Sequence, residues 1–330
     1  MLFPAKLTIS GHLSMQSLNN RLVVLHRLNR KAVVASLGLL KFLDLFTEPR
    51  DLKYLECEDM IPDAEKKALE LTRIGFLVPE NIDEEKVWLK KENRLAGKKK
   101  FQTRHFCSYY SGVEPYLARN FTDFMEEIYH LLLIKLFPPI ARRAIIYICR
   151  DRKELKKFWG AAPLPDHVKT FVTRGRMLVV DPSMVVASRH GIAPVSHMTH
   201  EMAHIFLCQA KTNLPVWMTE GLCEYHSRLY NHELFLELAR LKGAYPFQQI
   251  EAGARHSLFD MDDAPDELNI PYRQSESFVH YLAGISGEKK MMDIIFKTGL
   301  SRDFKTVFQK EMGISIDEAE RGWLKEMEMD

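Results

Sequence analysis

The sequence predicts an α+β chain in two parts, and three observations carry the prediction. Up to about residue 90, short apolar runs alternate with short helical patterns, as in a small mixed domain. From Phe121 onward the apolar spacing is mainly helical, and only Ala144 to Cys149 and Gly175 to Val180 suit strands. Between these parts, Lys90-Lys91 and Lys98-Lys99-Lys100, broken by Gly97, read as a solvated linker. The expected segments are 1–89, a basic linker over 90–115, and 116–330. A chain of 330 residues exceeds one comfortable core.

Taken in order, Leu22 to Ser36 holds two apolar runs around Asn29-Arg30, which predicts a β-hairpin with its turn there. Leu40, Phe42, Leu43 and Phe46 repeat at helical spacing and stop before Pro49. Asp51 suits the cap of a short helix toward Glu56. Asp63 suits the cap of a helix from Ala64 to Ile74, closed by Gly75. Phe76 to Val78 returns as a strand. A hairpin with three short helices fits a winged-helix-like domain. Phe121 to Phe137 predicts one amphipathic helix ended by Pro138-Pro139, and Asp151 to Trp159 another. Leu234 to Leu241 looks helical, and the acidic stretch Asp260 to Glu267 reads as a solvated loop. Helices over 275–285, 289–297, 303–311 and 316–327 finish the chain.

Composition excludes several classes. Apolar residues at 46% and charged residues at 27% are those of an ordinary globular protein. A net charge of +2 gives no electrostatic case for nucleic acid or a membrane surface. No apolar run is long enough to span a bilayer, and the first residues lack the apolar core of a signal peptide. Five scattered cysteines without a Cys-x-x-Cys pair read as reduced thiols, so a cytoplasmic location is expected.

The chemistry concentrates in Thr199-His200-Glu201-Met202-Ala203-His204, followed by Trp217-Met218-Thr219-Glu220-Gly221. On a helix, His200 and His204 lie one turn apart on one face and can reach one metal ion. Glu201 falls on the adjacent face, placed to hold water without ligating. Glu220 from a second helix completes a His2Glu set with one position left for solvent, the constitution of a catalytic zinc site. Glu224, four residues on, shares the face of Glu220 and suits the outer N–H of a ligand histidine. His226, Cys208 and Cys223 read as bystanders. Pro194 and Gly191 suit the start of the zinc helix.

His200-Glu-x-x-His204 with Trp217-x-x-Glu220-Gly221-x-x-x-Tyr225 resembles the gluzincin metallopeptidases of the peptidase-MA-like group. The likeness extends through Pro271-Tyr272-Arg273-Gln274-Ser275 to Trp323 and covers about 143–323. It implies a mostly helical zincin-type metallopeptidase domain with a small β-sheet, one Zn2+, and Tyr272 as the phenol that stabilises the oxyanion. It also implies that the strand over Gly175 to Val180 lies near the sheet edge beside the cleft. The Gly-x-Met-Glu-Asn segment of gluzincin aminopeptidases is absent, which favours an endopeptidase or a specialised processing enzyme. The N-terminal part weakly resembles PqqD-like peptide-recognition modules.

The expected function is therefore zinc-dependent hydrolysis of a peptide bond in a peptide or protein, with Glu201 as general base and peptide docking on the N-terminal domain. One alternative is a non-catalytic zinc-containing peptide-binding or chaperone protein, against which the intact Glu201 speaks. Another is a DNA-binding regulator with an attached His-Glu-x-x-His protease. Glu65, Lys66, Lys67, Glu70 and Arg73 nearly cancel in charge, so nucleic acid is disfavoured.

Overall fold

A computed structural model describes residues 6–10, 13–18, 21–26, 31–46, 49–51, 63–80, 82–91, 93–135, 137–138, 140, 143–159, 164, 166, 168–173, 177–189, 195–210, 214–227, 247, 270–298 and 304–327. Helix and strand are mixed, with helix predominating. Two compact units separate: Met1–Ala96 with Lys211–Asn213 and Thr298–Asp303, and Gly97–Ala210 with Leu214–Lys297 and Phe304–Asp330.

In the first unit, β1 (Leu7–Ile9), β2 (Leu13–Leu18), β3 (Arg21–His26) and β4 (Ala32–Val34) precede α1 (Leu37–Asp44) and α2 (Ala64–Arg73). β5 (Leu77–Pro79) and α3 (Glu84–Lys91) follow. β2, β3 and β4 form an antiparallel sheet, so the expected hairpin between β3 and β4 is present with a third strand added. β1 pairs antiparallel with β5. Ser36 caps α1 by accepting from Leu39 N at 3.1 Å, and the helix buries Phe42 and Leu43. Asp63, expected as the cap of α2, stands at φ 60° and makes no side-chain cap bond. The backbone there is left-handed, not the extended conformation from which an N-cap side chain reaches the first turn. Gly75 at φ 83° closes α2 as expected, with Phe76 N returning to Leu71 O at 2.8 Å. The turn at Asn29-Arg30 and the short helix toward Glu56 lie outside the described residues.

The second unit begins earlier than the linker assignment allowed. β6 (Lys99–Gln102) and β7 (Phe106–Tyr110) occupy the middle of 90–115, and α3 occupies its start. Lys98 is not solvated: its side chain is 4% exposed, donating to Glu154 Oε2 at 2.9 Å and Ser111 Oγ at 2.8 Å. A half-buried carboxylate and hydroxyl outweigh the tendency of a lysine run to stay in water.

The remaining elements are α4 (Pro115–Ile134), β8 (Ala144–Ile148), α5 (Arg152–Trp159), β9 (Thr170–Thr173), β10 (Met177–Val180), α6 (Pro182–Arg189), α7 (Val195–Gln209), α8 (Val216–Ser227), α9 (Ile270–Ser286), α10 (Glu288–Phe296), α11 (Phe304–Met312) and α12 (Ile316–Glu326). The sheet order is β6-β7-β8-β10-β9, with β7, β8 and β10 parallel and both edge strands antiparallel. Every residue of β8 and of β10 is buried, as unbroken apolar runs require in a sheet covered on both faces. β10, expected near the edge, is interior. The edge is β9, whose Thr-Phe-Val-Thr is too short and polar to announce itself.

α4 starts six residues before the expected Phe121, because Pro115 is preset for a first helical position. It buries Leu117, Phe121, Met125, Ile128 and Leu132. Asp181 Oδ1 accepts from Ser183 N at 2.9 Å and caps α6, a helix not expected after Asp181-Pro182. α9 starts at Ile270 and places Tyr272 in its first turn. A capping box, Ser315 with Glu318, opens α12. The helix start expected at Pro194, the helix over 234–241 and the acidic stretch over 260–267 lie outside the described residues. Among the described residues no helix is long and apolar enough to cross a membrane.

Candidate metal centre

α7 presents His200 and His204 one turn apart, and their Nε2 atoms lie 3.1 Å from each other. α8 brings Glu220, whose Oε2 is 3.5 Å from His200 Nε2 and 3.3 Å from His204 Nε2. These three atoms form a nearly equilateral triangle. A tetrahedral ion with arms of about 2.0–2.2 Å to nitrogen and oxygen has ligand-to-ligand edges of about 3.3 Å. The donor set and its spacing therefore fit a zinc-sized ion. The side chains are 13%, 17% and 17% exposed, which leaves one side open to solvent.

The charges favour the ligating form of Glu220 and, without an ion, the protonated form of His200. Burial opposes ionisation of Glu220, but the His204 charge and contacts with His200 hold its carboxyl far below the usual range. It stands as the anion that a cation needs. Burial likewise opposes charge on His200, yet Glu220 and Glu224 together raise its pKa well above the usual value. Cys223 is fully buried; burial first, then the carboxylates of Glu220 and Glu224, push its thiol well up and keep it protonated. It is not among the grouped ligand atoms.

Behind the triangle sits a second layer. Glu224 Oε1 lies 3.1 Å from His200 Nδ1, an ion-pair contact. Glu224 Oε2 is 3.8 Å from Arg273 Nη1, which donates to Glu276 Oε2 at 3.1 Å. Glu276 is wholly buried, and burial, then the charge of Glu224, raise its carboxyl to about 8 despite Arg273. Arg273 and Glu276 carry no periodic signal in the sequence, and their position one turn apart on α9 was the only available hint.

Glu201, next to His200 along α7, is buried and takes no part in the triangle. Its Oε1 lies 3.9 Å from Nε2 of His197, one turn earlier on α7, and that nitrogen is hydrogen-bonded to Thr170 Oγ1 of the edge strand β9. His197 was not singled out in the sequence. The Tyr272 ring stands 6.4 Å from that of His200, centroid to centroid, at 62°. His226 lies apart, buried against Phe137 at 4.7 Å, with burial lowering its pKa to about 3.

The helices carrying these groups are locked together. A Cβ at Gly221 would stand 2.5 Å from the Ser275 carbonyl oxygen and 2.9 Å from Val279 Cγ2. Only glycine lets α8 approach the backbone of α9 this closely, the helix that carries Arg273 toward Glu224.

No family model matches the chain, and no curated protein matches it.

Proposed function

We propose that the protein is a zinc-dependent peptidase, an endopeptidase or processing enzyme acting on a peptide or protein. One observation carries the reading: Nε2 of His200, Nε2 of His204 and Oε2 of Glu220 stand 3.1–3.5 Å apart, on a helix that also carries the buried Glu201. On this reading the second unit is a gluzincin-like metallopeptidase domain and the first a winged-helix-like domain that docks peptide, in a cytoplasmic protein.

His200, His204 and Glu220 would hold one Zn2+, which supplies Lewis acidity and lowers the pKa of water toward about 7. Glu201 accepts the proton of the attacking water and returns it to the leaving amine. Tyr272 donates to the oxygen on which charge develops. Glu224 holds the ring of His200 from behind, and Arg273 holds Glu224. In the first unit, the mixed charges Glu65, Lys66 and Lys67 on exposed positions of α2 favour peptide over nucleic acid.

Metal content and peptide cleavage, measured together on two variants, test the reading. Glu201→Gln is expected to keep zinc and lose turnover, whereas His204→Ala loses both. Undiminished cleavage by Glu201→Gln removes the mechanism.

A further inference from the structure

α4 repeats the ligand spacing of α7 on another face of the second unit. Glu126 and His130 are four residues apart and share one side of the helix. His105, just before β7, meets them there because β7 packs along α4, where Ser108 Oγ and Thr122 Oγ1 lie 2.7 Å apart. His105, Glu126 and His130 each offer a ligand atom, and the three atoms fall within 4.8 Å of one another.

Two of the three are already held in place. The His105 ring stacks on Tyr129 at 3.8 Å, and its Nδ1 lies 2.6 Å from Glu126 Oε2. Glu126 Oε1 accepts from the backbone N of His105 at 2.9 Å. Burial opposes the charge on Glu126, but hydrogen bonds from Thr103 and His105 win and hold its pKa below the usual value. It is therefore an anion at neutral pH. His130 is exposed, with its ring edge-on to His105 at 5.8 Å, so its side chain is free to rotate into place. A proton alone satisfies the His105–Glu126 pair; it gives no reason for a second imidazole at the same spot.

The geometry points to a second divalent-metal site at His105, Glu126 and His130, which ties the segment entering β7 to α4. Two imidazoles and one carboxylate select a borderline ion such as Zn2+, Ni2+ or Cu2+ over Mg2+ or Ca2+. On binding, the proton shared by Nδ1 and Oε2 leaves to solvent. The two atoms part from 2.6 Å to about 3.3 Å, the edge set by metal arms of about 2.0–2.2 Å. Water completes the coordination. Affinity rises with pH as the displaced proton becomes easier to lose. The exposed ligand and the lack, among the described residues, of a supporting carboxylate and arginine behind it make this site weaker than the one on α7, by roughly tenfold or more.

The test is a Co2+ titration of the full-length protein after chelator treatment, followed by visible absorption and calorimetry, with Zn2+ as competitor. The wild type is expected to take two equivalents. His130→Ala, an exposed change that leaves the core intact, takes only the tighter one; His204→Ala takes only the weaker one. Two outcomes overturn the proposal: a single wild-type equivalent that survives His130→Ala, or two equivalents still bound by that variant. A single equivalent lost in His130→Ala and kept in His204→Ala sustains this site and instead removes the peptidase reading.

Discussion

His200, His204 and Glu220 share their composition, and their one-turn helical spacing, with His105, Glu126 and His130, yet the surroundings of the two sets differ. In the first, ligand atoms are 3.1–3.5 Å apart, backed by Glu224, Arg273 and Glu276, on a helix that also buries Glu201. In the second, one ligand is exposed, and support comes from the Tyr129 ring and a backbone N–H. Residue identity and spacing make a set of ligands; the shell around it decides what the set can do. A carboxylate free of the ligand triangle, such as Glu201, separates a place for chemistry from a clamp.

The comparison breaks most sharply at the two glutamates. Glu201→Gln is expected to cut peptide hydrolysis by about 10²–10⁴-fold with metal content unchanged. Glu126→Gln should leave hydrolysis as it was, and equal losses from both would erase the distinction drawn here. Arg273→Met strips the shell from the first set. It leaves the Glu224 carboxylate facing only His200, so unfolding free energy should fall by ~3 kcal/mol, the low end for breaking a buried pair. Chemical denaturation reads the loss, and metal titration should show the α7 site weakening toward the α4 one.

Gly221→Ala touches no ligand but forces α8 away from α9. A loss of about 1–3 kcal/mol and weaker metal binding are expected, against a smaller effect for Gly322→Ala, whose added methyl meets only the tip of the Tyr281 side chain. Unchanged metal affinity in Gly221→Ala would show that this helix contact does not set the triangle.

Glu276 sharpens the comparison through pH. Its carboxyl rises from 4.5 to about 8 in the fold, so the folded state keeps a proton that the unfolded chain gives up. Stability then falls as pH climbs between those values, by up to about 1.4 kcal/mol per pH unit. Glu276→Gln should flatten that slope in denaturation midpoints taken from pH 5 to 8. The smallest effect belongs to His130→Ala without metal, within about 0.5 kcal/mol, because the side chain is exposed. A larger loss would mean that His130 already bears on the fold.

How much of this was readable from residues alone follows from the range of each interaction. His200, Glu201 and His204 were legible because helical spacing converts a five-residue pattern into adjacency, and Glu220 because its segment follows soon after. β10 was visible as an apolar run, but its interior position was not, since that depends on the short polar strand β9 pairing with it. β6 and β7 were read as linker because a lysine run suggests solvent, and partners as distant as Ile148 and Glu154 help bring Lys98 inside. Arg273 and Glu276 escaped for the same reason: their meaning lies in Glu224, 49 and 52 residues away along the chain.

The contact at Gly221 has a consequence for how this position tolerates change. Its nearest neighbour is main chain, so no rotamer shift elsewhere makes room, and the exclusion is purely one of size. Alanine, serine and cysteine then all carry a cost that no neighbouring side chain relieves, and larger residues carry more. A saturation library at codon 221, screened for metal retention, should rank glycine first by a clear margin, while position 284, where an added methyl meets open space, should accept many.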